Sequence, residues 1–362
     1  MTQAPTPTAD TVRRLVRTLL KDGKEGKGGV GGVSGAGGTA GAGGTGGIRG
    51  TGGAGSTGGT GSTGGTGGRG GAESAAGPDV RPVAGGVEHF TWWVGTRHVL
   101  RLAPDREASV RQRRELRLRD LVRPQVPVAV PASVAHGEWA PGLTYTLDLR
   151  IAGGTAGDHD VSAVGEDDLA GLLHGLREVP VRQAEALGVP RTPPRSLEAL
   201  RRMAVHAAER LGVADEFDPA RMTQLAPPAA AQLAAQPGTA VLVHHALRGE
   251  HLVVSADGRV RGVLDWTAAV VGDPAEDIAG LALAVGSPAA VRAATLAGYG
   301  ARPCLRGLWL ARCDSLIRLA DRLEGRDDTP LPPLRAQLRH AWEAILLERV
   351  TELREDEADE EL

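Results

Sequence analysis

The chain has 362 residues, enough to form a two-lobed domain of moderate size with a sizeable core. Its formal net charge of −3 gives no electrostatic case for nucleic acid as a partner. No run of apolar residues approaches the ~18 that a membrane span needs, and no signal-peptide pattern is present, so no membrane partner is expected. The only cysteines, Cys304 and Cys313, suit no metal or redox motif and are typical of a cytoplasmic protein.

The first 77 residues predict a helix followed by a glycine-rich insert. Apolar residues recur at helical spacing from Val12 to Leu20, so we assign residues 1–22 to an N-terminal helix. Residues 23–77 consist mainly of Gly with Thr, Ala and Ser, and they contain too little apolar surface to offset their backbone entropy. We therefore predict a disordered insert, and we give Gly-x-Gly matches inside it no functional weight.

Residues 78–152 predict a small lobe with an antiparallel sheet and one helix. Apolar and polar residues alternate on both sides of Gly95-Thr96, which predicts a β-hairpin over residues 83–102. A helix is predicted over residues 107–122, and two further strands over residues 127–134 and 144–151.

Residues 153–353 predict a larger and mainly helical lobe, and residues 354–362 predict a solvated acidic tail. Helical patterns cover residues 167–177, 196–211, 222–235, 289–298, 305–323 and 334–353. Trp309 and Trp342 in the last two patterns are interpreted as core residues.

The most informative stretch interrupts these helices at residues 241–279. A short apolar strand, residues 241–243, leads into a polar loop, residues 244–250. A hairpin with its turn at residues 256–258 follows, and its second strand ends at Asp265. Polar side chains on loops and strand ends of a rigid scaffold more often serve chemistry than packing.

Three motifs in this stretch resemble those of one enzyme family. Residues 244–251, HHALRGEH, resemble the catalytic loop H-G-D-L-H-P-x-N/H of the aminoglycoside phosphotransferases, and the final His is the variant of the macrolide kinases. Residues 263–266, VLDW, resemble their I-D-W, the counterpart of the kinase D-F-G. Residues 272–277, GDPAED, resemble their G-D-P-x-x-D-L. The resemblance implies an α+β, protein-kinase-like two-lobed fold with an antiparallel-sheet N-lobe and a mainly helical C-lobe.

The resemblance also implies a nucleotide between the lobes. Gly85 and Gly86 would form its covering loop, although a simple turn explains them equally well. Arg101 would face the phosphates and pair with Glu115, and the alternative is that Glu115 only balances a solvated basic face. Asp148 or Leu149 would lie near the base.

Two side chains would hold Mg²⁺ with ATP or GTP in this scheme. Asp265 fits the metal-binding carboxylate, and the alternative is a strand-end Asp that caps a turn. His251 is the second candidate, and it could act through a bridging water because imidazole is a poor Mg²⁺ ligand. Asp273 and Asp277 are interpreted as structural: one caps the next helix and one braces the catalytic loop.

The positions of the lysines exclude a phosphate-binding loop of the Walker A type. The chain has only Lys21, Lys24 and Lys27, and no Walker A sequence exists. A phosphate clamp in the folded body must therefore use Arg, backbone amides or a metal.

One departure from the family pattern concerns catalysis. Ala246 stands where the family has its catalytic Asp, and a methyl group can neither accept a proton nor orient a hydroxyl. Three readings are open: an antibiotic kinase that has lost its Asp, a natural pseudokinase that binds and regulates, or a kinase in which His244 or His245 substitutes as base. We expect a nucleotide-dependent O-phosphotransferase for a macrolide or aminoglycoside hydroxyl, impaired or inactive in turnover, with the pseudokinase as the alternative.

Overall fold

The computed structural model describes residues 6–25, 79–83, 89–236, 238 and 240–345. Gly85, Gly86, the predicted insert beyond residue 25 and the acidic tail lie outside the described residues. Within those ranges, no helix combines the length and the apolar character that crossing a bilayer requires.

The N-lobe is a five-stranded antiparallel sheet with one helix on each face. The strands follow the order β1-β2-β3-β5-β4. Their bounds are β1 Val80–Pro82, β2 Phe90–Val94, β3 His98–Leu102, β4 Ser133–Ala140 and β5 Leu143–Leu149. The helices are α1 Ala9–Glu25 and α2 Arg106–Val122. Asp105 starts α2 as its N-cap, because its carboxylate accepts the Ala108 N–H at 2.7 Å.

The period of two along these strands sorts the side chains onto two faces. Trp92, Leu100 and Leu147 lie on the outer face, where they form one core with the fully buried Val12 and Val16 of α1. The opposite face carries Arg101 directly across from Thr91 and Thr146. The alternation therefore directs a cation toward α2 and the cleft between the lobes.

The predicted strand at residues 127–134 is wrong in its position. The strand that pairs with β5 begins only at Ser133 and continues to Ala140. Upstream, Ala129 makes a single parallel bridge to Gly262. Pro127 and Pro131 flank Ala129, and a proline has no N–H to donate to a sheet ladder.

The C-lobe is mainly helical and has its own large hydrophobic core. Two small sheets lie at its upper edge, with the strands β6 Gly154–Thr155, β7 Val241–Val243, β8 Leu252–Val254, β9 Val260–Val263 and β10 Val270–Gly272. The helices are α3 Ala163–Glu178, α4 Val181–Ala186, α5 Leu197–Val213, α6 Pro227–Gln232, α7 Ala275–Val285, α8 Ser287–Leu296, α9 Ala301–Leu323 and α10 Leu331–Ala341.

Two predicted helices are shorter than expected. The pattern at residues 222–235 is split into a 3₁₀ segment, Pro219–Gln224, and α6, because Pro227 starts a new helix after a break. The last helix ends at Ala341, and residues 342–345 are not helical, whereas residues 346–353 of the predicted helix lie outside the described residues. Trp342 leaves the helix and packs with ring centroids 4.7 Å from Phe217 and 5.7 Å from Trp309. Trp309 and Trp342 are both buried, as predicted.

The docking of α1 gives a first test of the fold. We expect Val16→Asp to lower the free energy of unfolding by ~2–4 kcal/mol, because the carboxylate would be buried against the outer sheet face without a partner. Urea denaturation measures the change. Arg17→Ala, on the exposed side of the same helix, is the control and should change little. Equal effects of the two substitutions would show that α1 does not pack on the sheet in solution.

Candidate functional site

The two predicted metal-site residues converge at the end of the β8–β9 hairpin. The N–H of Leu264 donates to the carbonyl of His251 at 2.8 Å, which extends the strand pairing to the residue before Asp265. His251 Nε2 lies 3.6 Å from Asp265 Oδ2. His251 Nδ1 lies 2.7 Å from the carbonyl of Ala246, and because a carbonyl oxygen only accepts, this contact assigns a proton to Nδ1.

Asp265 has a backbone conformation that side-chain-bearing residues rarely adopt, with φ of 59°. Its Oδ1 accepts from the hydroxyl and the N–H of Thr267, and Arg101 Nη2 lies 3.7 Å away. Burial alone would raise the pKa of Asp265, but Arg101 and Thr267 hold it below its usual value. The carboxylate is therefore ionised and available to a cation.

Glu115 is the acceptor for three donors from different parts of the chain. Arg101 Nη1 donates to both of its oxygens, at 2.9 and 3.0 Å, so the ion pair that the resemblance implied is present. The N–H of Trp266 donates to Oε1 at 3.2 Å. Arg119, one turn further along α2, donates to the same oxygen. Burial opposes ionisation, but Arg101 and Arg119 lower the pKa of Glu115 to about 2.

Arg119 also contacts a residue that we had associated with the nucleotide base. Its Nη1 donates to Asp148 Oδ2 at 3.1 Å, and Asp148 Oδ1 accepts from the Ser133 hydroxyl. Asp148 is thus engaged on the α2 side of the sheet, whereas Leu149 is 45% exposed at the strand end. A role for either residue beside the base stays a prediction. Sequence reasoning missed Arg119 because it was one of five arginines around Glu115, although its i,i+4 spacing was a usable signal.

The loop that carries Ala246 is held by Asp277 from the first turn of α7. The two carboxylate oxygens accept the N–H groups of His244 and His245, each at 2.8 Å. Burial raises the pKa of Asp277 to about 7 in spite of these donors. Asp273 accepts the Ala275 N–H at 3.0 Å and pairs with buried Arg306. These contacts match the structural roles expected for both carboxylates.

The two histidines beside Ala246 differ in their access to the cleft. His244 is fully buried, its Nε2 lies 3.0 Å from the carbonyl of Leu264, and its ring meets the Trp266 ring edge-on at 4.5 Å. Burial lowers the pKa of His244 to about 3, so this imidazole is unsuited to act as a base. His245 is exposed on the loop. Of these two histidines, only His245 therefore remains as the substitute base that the sequence analysis considered.

The site fits a divalent cation with a bound phosphate better than a metal held by protein alone. Arg101 and Arg119 balance two of the three carboxylates of Glu115, Asp148 and Asp265, and one negative charge is left over. Across the described residues, no group of three or more His, Cys, Asp or Glu side chains could hold a metal. A cation at His251 and Asp265 would need further ligands from a substrate and water, as is usual for Mg²⁺.

His89, which the sequence analysis did not single out, adds an unsatisfied polar atom near this end of the cleft. It is 6% exposed, and its Nε2 has no hydrogen-bond partner among the residues that the structure describes. Burial and the charge of Arg101 lower the pKa of His89 to about 4, so this buried imidazole is neutral near pH 7.

A separate cavity of about 340 Å³ lies at the start of α9, around Tyr299, Arg302 and Arg306. Its lining contains none of the side chains predicted from the sequence as catalytic, nucleotide-binding or metal-binding. We therefore place the functional site at His251 and Asp265 on the chemistry of the side chains and not on cavity size.

The backbone of His245 gives a testable consequence. Its φ of 64° lies in the left-handed region, where a side chain costs ~1–2 kcal/mol and glycine is free of that cost. We expect His245→Gly to raise the free energy of unfolding by roughly 0.5–1 kcal/mol, measured by urea denaturation. Arg248→Gly in the same loop is the control, because at its φ of −95° a glycine should destabilise. Destabilisation by both changes would contradict the loop conformation.

The buried His244 gives a pH dependence. Because its pKa is lower in the folded than in the unfolded chain, the unfolded chain takes up the proton first, and stability is lost as pH falls below ~6.5. His244→Gln keeps a donor for the Leu264 carbonyl and should remove up to ~1.4 kcal/mol per pH unit of this loss. The free energy of unfolding of both proteins is measured at roughly pH 7.5 and 5, and the change between the two pH values is compared. The contribution of Asp277 is the same in both proteins and cancels in this comparison. Equal dependence of stability on pH in the two proteins would contradict the lowered pKa of His244.

Solved structures of aminoglycoside phosphotransferases have the same fold as this chain. The GDP complex of wild-type aminoglycoside 2′-phosphotransferase-IIIa is 19% identical, with a TM-score of 0.53 over 73% of this chain and 92% of that chain. The macrolide 2′-phosphotransferase MphH from Brachybacterium faecium, as apoenzyme, is 23% identical, with a TM-score of 0.49 over 74% of this chain and 93% of that chain. The uncharacterized protein YcbJ of Bacillus subtilis (strain 168) is 49% identical over 41 residues, which are 11% of this chain and 13% of that protein.

A family model covers the part of the chain that contains the site. The model of the phosphotransferase enzyme family matches residues 79–308, from the first strand of the N-lobe into α9. This range is well over half of the chain and includes the Arg101–Glu115 pair, the loop with Ala246, His251 and Asp265. The chain therefore belongs to the phosphotransferase enzyme family, and its fold is the kinase-like, two-lobed α+β fold of the aminoglycoside phosphotransferases.

Proposed function

We propose that this protein binds a nucleoside triphosphate with Mg²⁺ between its lobes and is impaired in passing the γ-phosphoryl group to a hydroxyl of a small molecule. The observation that carries the proposal is the 3.6 Å approach of His251 Nε2 to Asp265 Oδ2, beside the paired Arg101 and Glu115. The groups for holding phosphate and metal are together, while the position for the base has only a methyl group.

Arg101 and Asp265 have complementary tasks in this proposal. Glu115 engages only Nη1 of Arg101, so the other guanidinium nitrogens remain for phosphate oxygens. Asp265 would hold the cation together with His251, directly or through water. When bound, Mg²⁺ would neutralise charge on the phosphates. ATP and GTP are both compatible with these contacts, which involve the phosphates only.

The loss of the base affects one part of catalysis. A general base contributes typically ~10²–10⁴-fold, whereas alignment and electrostatic stabilisation are supplied by other groups. With Ala246, the proton of the acceptor hydroxyl would have to leave to water or to the exposed His245. We propose a macrolide or an aminoglycoside as the acceptor, on the basis of the family and of His251.

A second candidate is a nucleotide-binding protein without turnover. The favouring observation is that Asp277 still braces the loop through the N–H groups of His244 and His245, although residue 246 can no longer act. A braced loop and an intact metal and phosphate site would serve a regulatory or sequestering protein equally well.

Replacement of Ala246 by aspartate distinguishes the two candidate functions. We expect Ala246→Asp to raise kcat by ~10²-fold or more with a macrolide or an aminoglycoside, because the new carboxylate can take the hydroxyl proton. A coupled phosphotransfer assay over both antibiotic classes measures this. Full turnover by the unaltered chain would contradict the importance of Ala246, and an inactive variant that still binds nucleotide would favour the second candidate.

Nucleotide binding is measured separately by thermal shift with ATP or GTP and Mg²⁺. The unaltered chain and Ala246→Asp should both be stabilised as ligand concentration rises. Asp265→Asn should abolish the Mg²⁺-dependent part of the shift. No shift with any nucleotide would overturn the proposed function.

A further inference from the structure

The charged groups behind the proposed phosphate site form a continuous chain on the α2 side of the N-lobe sheet. Glu115 and Arg119 lie one helical turn apart, and their side chains are only 1% and 2% exposed. Arg119 joins Glu115 to Asp148 on β5, and Glu115 joins Arg101 on β3. Arg101 in turn lies beside Asp265. Five charged side chains are thus connected through successive ion pairs.

The way in which Glu115 holds Arg101 is unusual for an isolated pair. An arginine and a carboxylate alone favour a fork with two parallel N–H···O bonds from two nitrogens. Here both carboxylate oxygens contact the same nitrogen, Nη1, and Nη2 is turned toward Asp265 at 3.7 Å. The guanidinium of Arg101 therefore turns one nitrogen toward Asp265 instead of lying flat against Glu115.

Arg119 and the backbone of Trp266 fix the orientation of the Glu115 carboxylate. Arg119 donates to Glu115 Oε1, the oxygen that also accepts from the Trp266 N–H at 3.2 Å. Arg101 Nη1 shares this oxygen at 2.9 Å and donates to Oε2 at 3.0 Å, so the carboxylate that holds Arg101 is itself held by these other donors. Arg119 also donates through Nη1 to Asp148 at 3.1 Å, and this second hydrogen bond holds its guanidinium group in place.

We infer that Arg119 is a positioning residue for the nucleotide phosphates: it fixes the Glu115 carboxylate, which holds Arg101 through Nη1 and leaves Arg101 Nη2 beside Asp265. This inference rests on the proposed function in one respect, namely that phosphates are what Arg101 binds. Arg119 touches neither the cleft nor Asp265 in the described contacts, so its effect passes through Glu115.

A double-mutant cycle on nucleotide affinity tests the inference. Arg119→Met should weaken the binding of ATP with Mg²⁺ by about tenfold in isothermal titration calorimetry, and Arg119→Lys should restore only part of it, because a lysine cannot bridge Glu115 and Asp148 in the same plane. In an Arg101→Met background, Arg119→Met should cause no further loss. Equal losses in both backgrounds would show a general structural effect and overturn the inference.

Stability must be separated from positioning, because removal of one member of a buried ion pair destabilises. Arg306→Met is the matched control: Arg306 is 3% exposed and pairs with Asp273 in the C-lobe. It should lower the melting temperature without weakening nucleotide binding. If Arg119→Met does not fold, Arg119→Met with Asp148→Asn removes the unpaired carboxylate and is expected to show the same loss of affinity.

Failure of the proposed function can be distinguished from failure of the inference about Arg119. If the unaltered chain binds no nucleotide, the proposed function fails, and crystal structures of the unaltered chain and Arg119→Met then decide the inference. Arg101 with two nitrogens on Glu115 in the variant would support it. Unchanged contacts of Arg101 would overturn it.

Discussion

The buried carboxylate of Glu115 is the constraint on which the site depends. It accepts from Arg101 on β3, from Arg119 on α2 and from the backbone of Trp266 directly after Asp265. A carboxylate that is 1% exposed is costly to desolvate and is tolerated only when its partners are in place. The cluster therefore has all its partners only where the sheet, the helix and the Asp265 segment are packed together.

Binding geometry and proton transfer are assigned to separate residues in this fold. The loop around Ala246 takes its shape from Asp277, which bonds only to backbone N–H groups, and from the contact of His251 with the Ala246 carbonyl. None of these contacts involves the side chain at position 246. The identity of that side chain can thus change the chemistry while the surrounding groups keep their positions, and a well-formed site is no evidence of turnover.

The sequence was sufficient where the determinants are local or lie in closely spaced motifs. The position of Asp265 at the end of a hairpin strand followed from the local pattern. The Arg101–Glu115 pair and the brace at Asp277 followed from the resemblance to the aminoglycoside phosphotransferases. The strand at residues 127–134 failed because two prolines override an apolar pattern, and the helix at residues 222–235 failed for a similar reason. The bridge from Arg119 to Asp148 depends on which face of α2 is buried, a long-range fact that spacing alone does not contain.

The arginine at position 101 makes demands on its neighbours that a lysine would not make. A lysine ammonium is a compact point charge, and a carboxylate can hold it while other donors stay free. An arginine fork instead tends to bind a carboxylate with two nitrogens and lie flat against it. The contacts of Arg119 and the Trp266 N–H with Glu115 Oε1 fix the carboxylate to which Arg101 Nη1 donates, while Arg101 Nη2 lies 3.7 Å from Asp265. The two buried arginines share one carboxylate, so the position of Arg101 depends on Arg119 through Glu115.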